Sequence, residues 1–333
     1  MICTSSKKSE ALLKYKFIDL FAGIGGFRTA LEEFGAKCVF SSEWDQQAAK
    51  VYCENFGELP SGDLTKIHAE DIPRHSILCA GFPCQPFSIS GKQKGFEDTR
   101  GTLFYEVERI IKFHMPKVVI LENVKNFVTH DKGKTIAIVL KTLQASGYTS
   151  TFKVLNAGDY GVPQKRERVF IVATNRASTS KAYIFPTQQQ AKVRLEDIIE
   201  TQVDEKYYIK RNDYIFNKTE KSKTVELFCD DLIKPYRIGI CNKGGQGERI
   251  YSLQGHAITL SAYGGGAGAK TGLYLVGNKV RKLIPRECAR LMGFPETFKI
   301  HKSDSQAYKQ FGNSVVVDVV KAIVKSLIEQ KIL

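Results

Sequence analysis

The sequence predicts an α/β protein built on a mostly parallel sheet covered on both faces, with a second, smaller, loop-rich domain. Three observations carry this expectation. Short apolar runs alternate with stretches of helical spacing through the first half of the 333 residues. The first of these runs ends in a glycine-rich turn, as where an open α/β sheet passes from strand to helix. From about Leu195 the rhythm stops: charged and aromatic residues mix, and glycines at 244, 245, 247 and 264–266 interrupt short β-like pieces.

Residues 17–21 are the first strand, the turn follows at Gly23, Gly25 and Gly26, and residues 27–34 have helical spacing. Further strands are expected at 38–41, 77–80, 118–121 and 169–173, with helices at 46–55, 103–113 and 135–145. Continuous apolar runs of this kind suit parallel strands buried on both faces. In the second region, residues 257–260 and 272–276 are the β-like pieces, and residues 315–332 are apolar at helical spacing. That last stretch is expected to return to the first domain. The expected limits are thus 1–194 together with 305–333 for the larger domain and 195–304 for the smaller.

Composition narrows the partners. Lys and Arg number 49 against 35 Asp and Glu, a formal charge of +14. Such an excess suits a polyanion, nucleic acid first, although a solubilising surface gives the same count. No apolar run is long enough for a membrane span, and Met1-Ile2-Cys3-Thr4-Ser5-Ser6-Lys7-Lys8 lacks the apolar core of a signal peptide. A soluble, intracellular protein without a membrane partner is expected. The eight cysteines, at 3, 38, 53, 79, 84, 229, 241 and 288, include no C-x-x-C pair and no zinc-like His spacing, so no metal is expected. A reactive thiol among them must be singled out by its setting.

Chemistry-bearing residues collect at the carboxyl ends of the expected strands. Glu43 and Trp44 end the second strand. An acidic side chain there is the type that bonds ribose hydroxyls, and the chain's one tryptophan is the type that stacks on adenine, or else packs in the core. Asp63 is either a further polar contact or a helix cap. The turn lacks the full dinucleotide fingerprint and no Gly-Lys-Ser/Thr follows, so the set outlines an adenosyl site without a pyrophosphate.

Cys84 stands in Gly81-Phe82-Pro83-Cys84-Gln85-Pro86-Phe87-Ser88, a proline-bracketed loop at the same edge. This stretch fits a presented nucleophile and a structural cysteine equally. Glu122-Asn123-Val124 ends another strand. A buried carboxylic acid there would hold its proton and donate it, while an ordinary strand-end Glu is a salt-bridge partner. Gln164-Lys165-Arg166-Glu167-Arg168 holds arginines that would orient a carboxylate and bind a base or phosphate, or is a solvated charge run.

Taken in order, residues 19–26, 81–88, 122–124, 164–168, 286–295 and 310–314 resemble the motif set of the bacterial DNA cytosine-5 methyltransferases, over nearly the whole chain. The resemblance implies an S-adenosylmethionine-dependent methyltransferase (Rossmann-like) fold with a DNA-recognition domain. The reaction it implies is methylation, from S-adenosylmethionine, of C5 of a cytosine rotated out of duplex DNA. Cys84 would be the nucleophile that adds to C6, Glu122 the donor at N3, and Arg166 and Arg168 the supports of that carboxyl group and ligands of the base. No residue is implied as the base that removes the C5 proton.

For the cofactor the resemblance carries over Phe21, Gly23, Ile24, Gly26, Glu43, Trp44, Asp63, Leu103 and Asn313. Residues 88–96 are similar to a mobile catalytic loop. Ser90 from that loop and Gln246 match positions that occupy the space left by the extruded base, and Arg249, Tyr263, Gly264 and Gly265 match DNA-reading positions. Residues 244–251 and 259–266 agree with family members that modify GCGC, implying a GCGC or GCG-containing target and a restriction-modification role. A monomer is implied, cytoplasmic and nucleoid-associated, working beside a cognate endonuclease without a stable complex. Residues 267–269 depart from that pattern and residues 195–233 have little match. A DNA-binding protein without turnover and an RNA cytosine methyltransferase are the alternatives that keep the fold.

Overall fold

The computed structural model describes residues 10–83, 103–188, 193–217 and 234–333. The chain divides into two compact units, one of residues 1–155, 167–187 and 319–333 and one of residues 156–166 and 188–318.

The first unit is built on β1 (Lys16–Leu20), α1 (Gly26–Glu33), β2 (Lys37–Ser42), α2 (Gln46–Phe56), β3 (Ile77–Gly81), α3 (Leu103–His114), β4 (Val118–Val124), α4 (Lys134–Ala145), β5 (Tyr148–Asn156) and β6 (Glu167–Asn175). The strands form one sheet in the order β2-β1-β3-β4-β6-β5. β1 pairs in parallel with β2 and β3, and β3 with β4, whereas β6 runs antiparallel to β4. The mostly parallel α/β architecture expected from the alternating runs is what forms. Residues 77–80 and 118–121 have no solvent exposure at all. A strand buried on both faces needs an unbroken apolar run, and these are the runs the sequence displays.

β5 and the direction of β6 differ from the expectation. β5 lies at the end of the sheet, and Thr149, Ser150, Thr151 and Lys153 make it polar and half-solvated, so it carries no apolar run. Between it and β6 lies no α-helix, only a 3-10 turn at Ala157–Tyr160. A crossover that would keep the parallel direction needs a longer connection, usually helical, and the antiparallel β6 follows.

The second unit carries a small sheet in the order β11-β10-β9-β8-β7, made of β7 (Ile215–Phe216), β8 (Arg237–Ile240), β9 (Arg249–Tyr251), β10 (Leu273–Val276) and β11 (Lys279–Arg281). Its core is Cys241, Ile250, Leu273 and Val280. Helices α5 (Pro285–Leu291) and α6 (Asp304–Asn313) follow, and α7 (Val317–Glu329) passes into the first unit, where Tyr183 Oη donates to the Ile323 carbonyl. The β-like piece at 272–276 is β10. Residues 257–260 are not a strand: Ala257 makes a single bridge to Gln164, and Leu260 N–H goes to the Gln164 side chain. Among the described residues no helix is long and apolar enough to cross a membrane.

A buried histidine in the first unit gives a test of this packing by pH. The His75 ring lies 4.7 Å from the His114 ring, with Nδ1 2.8 Å from the Pro73 carbonyl. Burial, with His114 adding to it, lowers His75 from 6.5 to about 4. As pH falls through 6.5 the unfolded chain takes up a proton that the folded one refuses until about 4. The unfolded state therefore binds more protons across that window and stability falls as pH drops through it, by roughly 3 kcal/mol in all. Above pH 7 the contribution is complete. Unfolding midpoints for the parent and for His75→Phe should diverge between pH 7 and 4, with the variant flatter; parallel curves would remove His75 from the acid limb.

Candidate active site

The turn after β1 bends because three of its residues take left-handed backbone angles: Phe21 at φ 55°, Gly23 at 56° and Gly25 at 88°. The two glycines serve different ends. A Cβ on Gly25 would lie 2.2 Å from the Phe56 ring of α2, so Gly25 lets the turn pack on that helix. A Cβ on Gly23 would meet nothing within 4 Å, so its backbone faces open space. Phe21 is half-buried, and Ile24 and Gly26 are buried.

Glu43, one residue past β2, reaches back to this turn. Its Oε2 accepts the Gly23 N–H at 2.8 Å and its Oε1 the Asp45 N–H at 2.7 Å. Burial raises its carboxyl above the usual range, and the two N–H bonds oppose that shift. Trp44 is 79% exposed. The only indole of the chain is therefore a presented face and not a core aromatic. Ser61 bonds back to β2 and brings Asp63 to the same end of the sheet, where Asp63 Oδ1 caps a 3-10 turn by accepting Thr65 N–H and Oγ1–H at 3.0 and 2.8 Å. These bonds lower its carboxyl. Leu103, half-buried, opens α3.

At the carboxyl end of β4, Glu122 Oε1 lies 3.2 Å from Arg168 Nε. The pair is diagonal across the antiparallel ladder, since Glu122 faces Phe170 and Val124 faces Arg168. On the other side Glu122 is in register with Gly81 of β3. The next residue, Phe82, is buried against Phe104 and Phe127, and its carbonyl accepts from Asn123 Nδ2 at 2.9 Å. Asn123 is thus a support of the loop stem that residue spacing did not reveal.

In the second unit Arg166, 2% exposed, spends its guanidinium on backbone carbonyls: Nη1 donates to Leu260 at 2.9 Å, and Nη2 to Gly312 and Ser314 at 2.8 Å each. The two arginines expected to act alike therefore differ. Arg168 meets Glu122, whereas Arg166 grips the residues on either side of exposed Asn313. Gly312 fits there because a Cβ would lie 2.2 Å from the Ala262 nitrogen. Gln164 is also buried and ties Leu291 to Leu260. The stretch 164–168 is no solvated charge run: Gln164 and Arg166 point inward, and Lys165 outward.

The two glycine-rich loops of this unit lie against each other. A Cβ on Gly247 would come within 2.1 Å of the Gly265 carbonyl, and one on Gly264 within 2.1 Å of the Ala269 carbonyl. Gly265 itself faces open space. Around this contact Gln246 and Tyr263 are exposed, the latter at 73%, and Arg249 is half-buried with Nε near the Gly244 carbonyl. Cys84, Ser90 and the loop at 88–96 lie outside the described residues. Among the described residues no group of three or more His, Cys, Asp or Glu is placed to hold a metal ion.

Comparison with known proteins gives this geometry a context. Residues 15–329 match the family model of the C-5 cytosine-specific DNA methylases. The chain is 53% identical over 318 residues to the type II methyltransferase M.HhaI of Haemophilus parahaemolyticus, covering 95% of each chain. It is 43% identical over 333 residues to the type II methyltransferase M.HpaII of Haemophilus parainfluenzae, covering 95% of this chain and 90% of that one. Among solved structures, the S. pombe Dnmt2 methyltransferase has a TM-score of 0.72 at 21% identity, covering 95% of this chain and 99% of that one, a likeness of fold.

Proposed function

The chain belongs to the C-5 cytosine-specific DNA methylase family, and from that premise we propose that it methylates a cytosine rotated out of duplex DNA at a GCGC or GCG-containing site. The observation that carries the reading is the Glu122–Arg168 pair at the carboxyl end of β4, in register with the strand that leads to Cys84.

C5 of cytosine is too weak a nucleophile to be methylated unassisted. The Cys84 thiolate adds to C6, forming the S–C6 bond and moving the ring electrons toward C5. Glu122 gives a proton or hydrogen bond at N3 and stabilises the charge that develops as sulfur adds, while Arg168 holds the carboxyl group in place. Arg166 keeps the segment around Asn313 in shape. After methylation the C5 proton passes to water, the C5–H electrons form the C5–C6 double bond, and the S–C6 bond breaks with its electrons on sulfur, which restores the aromatic ring and frees the thiolate.

S-adenosylmethionine, whose use the family implies, supplies the methyl group. The turn fits it: open backbone at Gly23, a carboxylate at Glu43 for ribose hydroxyls and an exposed indole at Trp44 for adenine. Phe21, Ile24, Gly26, Asp63, Leu103 and Asn313 complete the proposed set. In this reading the first unit carries Cys84, Glu122 and Arg168, and the second, which holds Arg166 and Asn313, reads the target through Arg249, Tyr263, Gly264 and Gly265. Ser90 and Gln246 fill the space the cytosine leaves. The protein acts as a monomer in the cytoplasm, protecting DNA against an endonuclease of the same site.

Bisulfite sequencing of DNA from cells expressing the chain tests this reading. Conversion-resistant cytosines are expected within GCG-containing sites. Resistance confined to sites without GCG would overturn the target, and none at all, with transfer RNA labelled instead, would overturn the substrate.

A further inference from the structure

The loop that carries Gln246 is held from behind by a chain of charged and polar groups, none of them among the residues assigned to DNA or cofactor. Arg211 Nε and Nη2 donate to the two Asp213 oxygens at 2.7 and 2.6 Å. Asp213 Oδ2 accepts the Asn242 N–H at 2.9 Å. Asn242, left-handed at φ 49°, donates from Nδ2 to Glu248 Oε1 at 2.6 Å, and Glu248 Oε2 accepts the Gly245 N–H at 2.9 Å. The backbone closes the same turn, Cys241 N–H to the Glu248 carbonyl at 2.8 Å and Glu248 N–H to that of Gly245 at 2.9 Å.

Each Glu248 oxygen thus accepts a hydrogen bond from within its own loop, and those two bonds hold its carboxyl below the usual range. A carboxylate that stays ionised on a surface meant for phosphates is electrostatically adverse. Its retention is accounted for if the charge orders the loop. Gln246 stands between Gly245 and Gly247, which have no side chains to order it, and is exposed.

We propose that Glu248 is a positioning residue which, through Asn242 and Gly245, presets the 242–248 loop so that Gln246 meets the duplex already ordered. The proposal rests on the reading of Gln246 as the residue that fills the vacated space. Without the brace, the loop's conformational entropy is lost at the moment of binding and weakens it.

The test uses the full chain with Glu248→Ala, Asn242→Gly and both together; glycine keeps the left-handed backbone and removes only the side-chain bond. The readouts are KM for the duplex, kcat, cofactor binding through Trp44 fluorescence, unfolding temperature and the fluorescence of 2-aminopurine in place of the target cytosine. Glu248→Ala is expected to raise KM for DNA about tenfold and to lower the 2-aminopurine signal at a fixed, subsaturating protein concentration, as loss of bonds to a charged group predicts, with kcat and cofactor binding within about twofold. The double variant is expected to match Glu248→Ala alone. Losses that multiply would show that Glu248 meets DNA by itself and would overturn the proposal. So would a fall in kcat, cofactor binding and unfolding temperature together. A parent protein that neither methylates nor brightens 2-aminopurine sinks the reading of the site; an active parent with an unchanged Glu248→Ala sinks the brace alone.

Discussion

Cys84→Ala is expected to abolish methyl transfer, on the order of a 10⁴-fold loss or more, while leaving cofactor binding and folding intact. The size of the effect follows from the ring. In the proposed reaction no electron-rich C5 forms without sulfur on C6, and neither Glu122 nor Arg168 supplies one. The stem ahead of Cys84 has its own anchors: Phe82 packs against Phe104 and Phe127, and its carbonyl is held by Asn123. Single-turnover methylation with labelled S-adenosylmethionine measures the loss. Trp44 fluorescence on cofactor addition and the unfolding midpoint serve as controls. Turnover that survives the substitution would remove Cys84 from the reaction.

How much was legible depended on whether a feature is written in neighbouring residues. β3 and β4 could be read because parallel strands buried on both faces demand continuous apolar runs, and residues 77–80 and 118–121 supply them. β5 could not, because an edge strand half in water is free to be Thr, Ser and Lys. Gly23 and Gly25 look alike in the sequence, yet one faces open space and the other a phenyl ring that arrives from α2.

Arg166 and Arg168, two residues apart, offered the same signal and went to different partners, because what each meets comes from segments far along the chain. The alternation of Gln164, Lys165 and Arg166 was a visible cue to burial, masked by the charge of the stretch. The Asn242–Glu248 bond could not be read from neighbouring residues: Glu248 ends a 3-10 turn at 246–248, Asn242 lies outside it, and the two meet only because β8 pairs with β9.

The same holds for the interaction whose loss should cost the second unit most. Arg281 and Glu287 are both 0% exposed and joined by two bonds, Nη1 to Oε2 at 2.8 Å and Nη2 to Oε1 at 2.7 Å. Glu287 also accepts the Glu200 and Ile284 N–H groups, and Arg281 donates to the Glu200 and Lys282 carbonyls, so one ion pair fastens the end of β11, the start of α5 and the chain near residue 200. Glu287→Ala would leave a guanidinium buried without its carboxylate, at a cost of about 3–5 kcal/mol, a drop of roughly 10 °C in the midpoint of this unit. Arg281→Met with Glu287→Leu should recover part of that, since no charge is then buried alone. Thermal unfolding of Glu287→Ala, of Arg281→Met and Glu287→Leu singly and of these two together decides it, and a double variant as unstable as the sum of its two singles would overturn the account. Because the pair lies within the second unit, Glu287→Ala should lose duplex binding at a lower temperature than it loses the Trp44 response to cofactor. That order of loss would separate the strength of the second unit from that of the proposed adenosyl site.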